Sequence, residues 1–465
     1  MRTKFYLTLL ISLIGLNLMA VEDKSDNEIA AVEGHVVDSK TKKPIPYVNI
    51  GVVNTNIGTT TNDAGDFVIR TLKPGKYTLR ASALGNKTTE IEIIVQEKKS
   101  THAHFELEES KIIFDEIVVS ANRNEVLRKD APVIVNVLSN KDFEANNAQD
   151  LSQALGLQTG IRVDYNCQNC GVPQVRLNGL EGPYTQMLID SRPVLSALGS
   201  VYGLEQIPVN MIERVEVVKG GGSALYGSNA IAGTINIITK EATRPSFSIA
   251  NDLQLVGMNS IANNFNMNGA LINSTRNSGV SFYQTFRKKN PYDANNDGYS
   301  EIGKMDAFSF GTKVYHKFTP SQKLTMEYHT TQETRRGGNK FEQPVHLADI
   351  TEMTEHKIHS GGVTYDYTSM DGMNRVSAYA SGQYVDRDSY FGTHQDPNAF
   401  GKSNDLTYLL GVQANNEIEK LLFTRATLTY GLEYNSNRLK DEMIGYNRHI
   451  DQKTNIMGTF FQSEW

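Results

Sequence analysis

The sequence predicts a multidomain, largely β protein: a small antiparallel β-sandwich, then a mixed α/β domain, then a transmembrane antiparallel β-barrel. Three observations predict this. Between residues 32 and 109 short strands broken by turn residues recur every 8 to 12 residues, the spacing of a sandwich. From 125 to 240 apolar strands ended by Gly or Asp flank a helical stretch at 146–157. From 245 to 465 about ten long strands alternate in polarity, and short connections alternate with long ones, as a bacterial outer-membrane barrel requires.

Composition narrows the classes. The hydrophobic fraction is 39%, and after the first twenty residues no run of 18 apolar residues could span a bilayer as a helix. Membrane insertion is then possible only as a closed barrel. The 37 Gly, 21 Tyr and 18 Phe suit glycine turns and aromatic girdles. A net charge of −6 gives no sign of a nucleic-acid partner. No nucleophile, base and orienting group fall into a constellation, so the sequence does not read as an enzyme.

At the N-terminus, Arg2 and Lys4 precede an apolar run from Phe5 to Met19, with Ala20 placed for cleavage. Residues 1–20 therefore read as a secretory signal peptide. In the sandwich region, His102 and His104 lie two apart on one strand and face the same side; a pair without a third ligand reads as a solvated face. Asp115, Glu116, Ile117, Val118, Val119, Ser120 and Ala121 then form a short apolar strand with acidic residues at its start and no evident neighbour. A free edge of this kind can be paired, main chain to main chain, by another protein.

In the next domain, Arg214 and Glu216 share one face of a strand while Val215 and Val217 take the other. Gly220-Gly-Gly-Ser and Gly227 lack the Lys of a phosphate loop, so these glycines read as a tight turn between strand and short helix. Farther on, Asp293, Asn295 and Asp297 followed by Gly298 match the first half of a calcium loop, but Lys304 stands where the twelfth-position Glu belongs. A full EF-hand is excluded, and either structural calcium or a polar turn remains open.

Specific resemblances overlie this reading. Residues 32–109 resemble the carboxypeptidase-like regulatory domain through Gly34, Pro44-Ile-Pro46, the Thr59 to Gly65 turn and Pro74-Gly75-Lys-Tyr77; no peptidase activity is implied. Residues 114–121 resemble a TonB box. The stretch 125–240 resembles the plug domain of TonB-dependent outer-membrane receptors, through Ala131-Pro-Val-Ile-Val-Asn-Val137, Asp150-Leu-Ser-Gln-Ala-Leu155, Val175-Arg-Leu-Asn-Gly179, Met187-Leu-Ile-Asp190, Ile212 to Gly220 and Ala224 to Ile238.

The resemblance implies energised uptake of a scarce nutrient across the Gram-negative outer membrane, with TonB, the inner-membrane energy-transducing protein, as partner. The ligand class it favours is a metal complex: ferric siderophore, haem or cobalamin. Import of a glycan or of copper, or surface binding without transport, are the alternatives. It implies no required cofactor, and it places Arg176, Arg214 and Glu216 where plug meets barrel wall.

Cys167 and Cys170 would lie near the ligand-facing apex of the plug. In an oxidising compartment they read as a disulfide; a thiolate pair for a soft metal such as copper and a redox motif are the other readings. A plug of this size needs a lumen of about 22 strands, so the ten strands are expected to be an incomplete barrel.

Overall fold

The computed structural model describes residues 31–465 except 54, 56, 71, 84–85, 97–99, 109–116, 122, 147, 149, 157, 166–172, 194–207, 228 and 258–259. The signal-peptide reading of residues 1–20 lies outside the described residues, as do Asp115, Glu116, Cys167 and Cys170. The chain divides into two compact units, Met1–Phe114 and Asp115–Trp465.

The first unit is the expected sandwich. Its strands are β1 (Val32–Asp38), β2 (Asn49–Val52), β3 (Gly58–Thr60), β4 (Asp66–Ile69), β5 (Gly75–Ser82), β6 (Thr89–Val95) and β7 (Thr101–Leu107). They form sheets of order β4-β1-β7 and β3-β2-β5-β6. Alternation explains the core: Ala103, Phe105 and Leu107 of β7 turn inward onto Val32, Val36, Phe67 and Leu79, while His102, His104 and Glu106 stay exposed. The sandwich is not wholly antiparallel, because β1 and β7 run parallel.

The second unit begins with β8 (Ile117–Val118) and β9 (Val126–Leu127). The α/β domain follows: β10 (Val135–Ser139), α1 (Asn140–Ala145), α2 (Leu151–Leu155), β11 (Ile161–Tyr165), β12 (Pro173–Leu177), β13 (Thr185–Ile189), β14 (Arg192–Pro193), β15 (Ile212–Lys219), α3 (Ser223–Tyr226) and β16 (Gly233–Thr239). A mixed sheet of order β10-β15-β16-β13-β14 carries it, beside the β11-β12 hairpin.

The helix expected at 146–157 is shorter and later. Asp150 caps it by accepting from the Gln153 N–H, and Asn146 instead ends the preceding helix α1; an Asp with an open side chain ahead of Leu151 is a stronger start signal than periodicity alone. The glycines between β15 and β16 turn the chain as expected. Gly220 sits at φ +102°, and a Cβ on Gly233 would come within 2.1 Å of the Val218 carbonyl oxygen.

Ten strands complete the unit: β17 (Ser246–Val256), β18 (Ser260–Ile272), β19 (Ser278–Lys289), β20 (Lys304–Thr319), β21 (Gln322–Gly338), β22 (Ile350–Thr368), β23 (Asn374–Thr393), β24 (Phe400–Leu421), β25 (Thr424–Met443) and β26 (Arg448–Glu464). Each pairs antiparallel with its sequence neighbour, and β17 and β26 are the sheet's edges among the described residues. It is a partial barrel.

On β24, Leu406, Tyr408, Leu410 and Val412 point outward, between 38% and 50% exposed, whereas Asp405, Thr407 and Leu409 are buried. Apolar outside and polar inside is the pattern of a wall between lipid and a filled lumen. The strands are longer than a bilayer crossing needs: β24 spans Phe400–Leu421. About ten residues cross the bilayer. Beyond it both faces meet water, so the alternation that marks the strand in sequence fades while the hydrogen-bond ladder continues.

Candidate functional site

The site is built around residues 117–125, where the chain passes between plug and barrel wall. The expectation of a free strand edge is corrected here. Ile117 and Val118 pair antiparallel with Leu127 and Val126, and Val118 is fully buried with Ala121, Val135 and Val218. A two-residue partner nine positions away carries no periodicity to read in advance.

Past Val118 a side chain replaces the ladder. Glu216 Oε2 accepts from the N–H of Val119 at 2.9 Å, the N–H of Ser120 at 2.9 Å and the Ser120 hydroxyl at 2.6 Å. Asn236 donates to Ser120 Oγ at 2.9 Å, and the Tyr226 hydroxyl donates to the Ser120 carbonyl at 3.2 Å. Glu216 is itself fully buried and takes its counter-charge from Arg214 at 2.8 Å. Burial pushes the Tyr226 hydroxyl well above its ordinary range, so it stays a donor.

Three residues on, Arg123 crosses to the barrel. Its backbone is left-handed, φ +57°, a strained conformation for a side chain without local hydrogen-bonding capacity. Its guanidinium pairs with Glu433 of β25 at 2.6 Å and lies 4.8 Å from the Tyr226 ring and 4.4 Å from the Phe460 ring. Burial works against the charge, but Glu433 outweighs it and holds Arg123 above its usual range. Gln413 donates to the Arg123 carbonyl at 2.7 Å, and Arg375 donates to Asn124 at 3.1 Å. No local signal in the sequence points from Arg123 to a partner 310 positions away.

The seam holds further ion pairs: Arg192 with Glu327 at 3.3 Å, Arg287 with Asp150 at 3.0 Å, Lys313 with Asp190 at 2.9 Å and Lys323 with Glu241 at 2.6 Å. Burial alone would raise the Asp190 carboxyl, yet Lys313 and the Thr239 hydroxyl and N–H hold it below the usual carboxylate range.

These pairs correct the expected contacts. Arg176 pairs with Asp164 at 2.9 Å inside the β11-β12 hairpin, and Arg214 and Glu216 pair with each other. Alternation put the last two on one face correctly, but that face meets the 117–121 segment. Arg214 lines a cavity of about 660 Å³ with Arg123, Arg192, Lys313, Glu327 and Arg375. This cavity opens at the short-turn end of the barrel, where Pro320, Ser321 and Thr368 line it.

At the long-loop end, Asp293, Asp297 and Glu301 bring carboxylate oxygens within 4.8 Å of one another. Asn295 donates to Asp297 at 3.0 Å. The N–H groups of Asn296 and Gly298 fix Asp293 at 2.6 and 2.8 Å. An all-oxygen set of this kind suits a hard cation.

A partial barrel around a mixed α/β domain, with a strand tucked between them, defines a plugged-barrel fold. Residues 128–234 match the TonB-dependent Receptor Plug Domain and residues 32–119 the CarboxypepD_reg-like domain. The vitamin B12 transporter BtuB of Vibrio vulnificus (strain CMCP6) is 36% identical over 135 residues, 29% of this chain and 22% of that protein. BtuB of Vibrio cholerae serotype O1 (strain M66-2) is 32% identical over 124 residues, 27% and 20% of the two chains.

Among solved structures, Pseudomonas aeruginosa FpvA bound to heterologous pyoverdines superposes with a TM-score of 0.61 at 13% identity, over 77% of this chain and 54% of that one. The P. aeruginosa ferric enterobactin receptor PfeA, as a double mutant, gives 0.59 at 20% identity, over 72% and 55%. These structures share the fold. The chain spans about a fifth of the length of the curated relatives it matches and about half that of the solved receptors. The match of residues 128–234 to the plug and the shared fold liken the chain to the TonB-dependent receptors, a family of outer-membrane β-barrel proteins.

Proposed function

We propose that this receptor takes up a metal complex, of the ferric siderophore, haem or cobalamin kind, through the outer membrane, and that TonB drives it by pairing with residues 115–121. The observation that carries this reading is the double fastening of residues 117–125, to the plug through Glu216 and to the wall through Glu433. A strand anchored to both bodies transmits a pull to their seam. The seam is held by ion pairs lining a cavity rich in charged side chains, which a modest force can loosen where an apolar seam would resist.

The kinship with cobalamin transporters and the fold shared with siderophore receptors support a metal complex as ligand. On the same reading, residues 1–20 direct export, Cys167 and Cys170 form a disulfide at the ligand-facing apex, and calcium orders the loop at Asp293, Asn295 and Asp297.

The test replaces Val118 with Pro in the natural gene. Proline removes a main-chain donor and resists strand pairing. Energised uptake of labelled cobalamin or ferric siderophore is expected to be lost while surface binding of the same ligand persists. Uptake that survives unchanged would refute the tether, and failure of every metal complex to bind would refute the ligand class.

A further inference from the structure

The sandwich carries a histidine row that sequence reading saw only in part. On the outward face of the β4-β1-β7 sheet, Asp66, His35 and His104 stand directly opposite one another on three adjacent strands. The next row places Glu33 opposite His102. His102 and His104 therefore do not stand alone: pairing of β1 with β7, about seventy residues apart in sequence, supplies the third imidazole.

His35 Nδ1 lies 2.6 Å from Asp66 Oδ1. The His35 and His104 rings stack with centroids 6.2 Å apart and planes 12° from parallel, and Glu106 lies 3.7 Å from His104 Nε2. We propose that this row binds one late first-row divalent metal ion, zinc(II) or copper(II), through the imidazoles of His35 and His104.

The chemistry of the donors carries the proposal. A carboxylate on one ring nitrogen holds the proton there and leaves the other nitrogen as a lone-pair donor, the usual second-shell arrangement of a metal-bound histidine. Asp66 does this for His35. Imidazole donors select zinc, copper and nickel over calcium and magnesium.

Neighbouring strands set opposed side chains about 5 Å apart, and two imidazoles at that spacing can reach one ion at about 2.0–2.1 Å each. The rings are aligned rather than convergent, so closure requires the exposed His104 to swing out of its stacking on His35. The frame beneath is fixed. Asn62 accepts from the N–H groups of Ala64 and Asp66 at 3.0 and 2.9 Å, and the Val36 N–H donates to the Gly65 carbonyl at 2.9 Å.

The experiment uses the natural protein, purified without a histidine tag and with any free thiols alkylated, so that Cys167 and Cys170 contribute nothing. Zinc(II) and copper(II) are titrated against a competing chelator dye. His35→Ala and His104→Ala are each expected to remove one bound equivalent or weaken it at least about tenfold, and Asp66→Asn to weaken it about 10- to 100-fold.

Copper(II) electron paramagnetic resonance should show nitrogen coupling that His104→Ala diminishes. Circular dichroism checks that the exposed substitutions leave the sandwich folded. Equal stoichiometry and affinity in wild type and both histidine variants would overturn the site. Displacement of zinc by calcium at equal concentration would overturn the ion class. Neither result depends on transport.

Discussion

Replacing Glu216 with Gln tests the fastening of the 117–121 segment most directly. The side chain keeps its shape, but its Oε2 ceases to be a charged acceptor for the two N–H groups and the hydroxyl it now holds. Hydrogen bonds to a charged group contribute about 1.5–3 kcal/mol and neutral ones about 0.5–1.5, so each contact loses about 1 kcal/mol. The three share one acceptor and are not additive; a net loss of about 2 kcal/mol is expected, which multiplies the released population about 30-fold.

Arg214 also loses its partner, but it is 24% exposed and can turn to water. The assay is hydrogen exchange at the amides of Val119 and Ser120, with affinity for the TonB C-terminal domain measured beside it. Faster exchange at those two amides, with affinity for TonB raised by a similar factor in the absence of ligand, is the expected result. Unchanged protection would show that Glu216 does not hold the segment.

Three further outcomes follow from the seam and the loops. Glu433→Gln leaves Arg123 buried without its carboxylate, a change that costs about 3–5 kcal/mol; protease cleavage near residues 123–125 should rise sharply, and a cleavage rate equal to wild type would refute the anchor. Asp190 has a depressed folded pKa, so the stability it lends is complete above the unfolded carboxyl value of about 3.9 and is lost as pH falls through the lower folded value. Plug protection should therefore be flat above about pH 5 and show an acid limb that Asp190→Asn shrinks; identical limbs would reject the assignment. Chelation should expose the 293–301 loop to proteolysis in the wild type and change little in Asp297→Ala, with calcium restoring protection at about 10⁻⁴–10⁻³ M; equal chelator sensitivity in both would sink that site.

The amino-acid sequence by itself determined the order of domains, the strand content and the side of each strand that turns inward, because alternation at period two and turn chemistry act over a few residues. It told Arg214 and Glu216 to share a face and gave the wall its apolar outside. It also put three carboxylates into one short loop. What depended on residues far apart was left to the tertiary structure.

Glu216 holding Ser120 joins positions 96 residues apart, Arg123 reaches Glu433 across 310, and His35 meets His104 only through a parallel pairing. The membrane strands hid their own ends because outside the bilayer no apolar face is required of them. A buried charge needs a partner wherever the chain can supply one. Local pattern states that need, and only the fold chooses the residue that meets it.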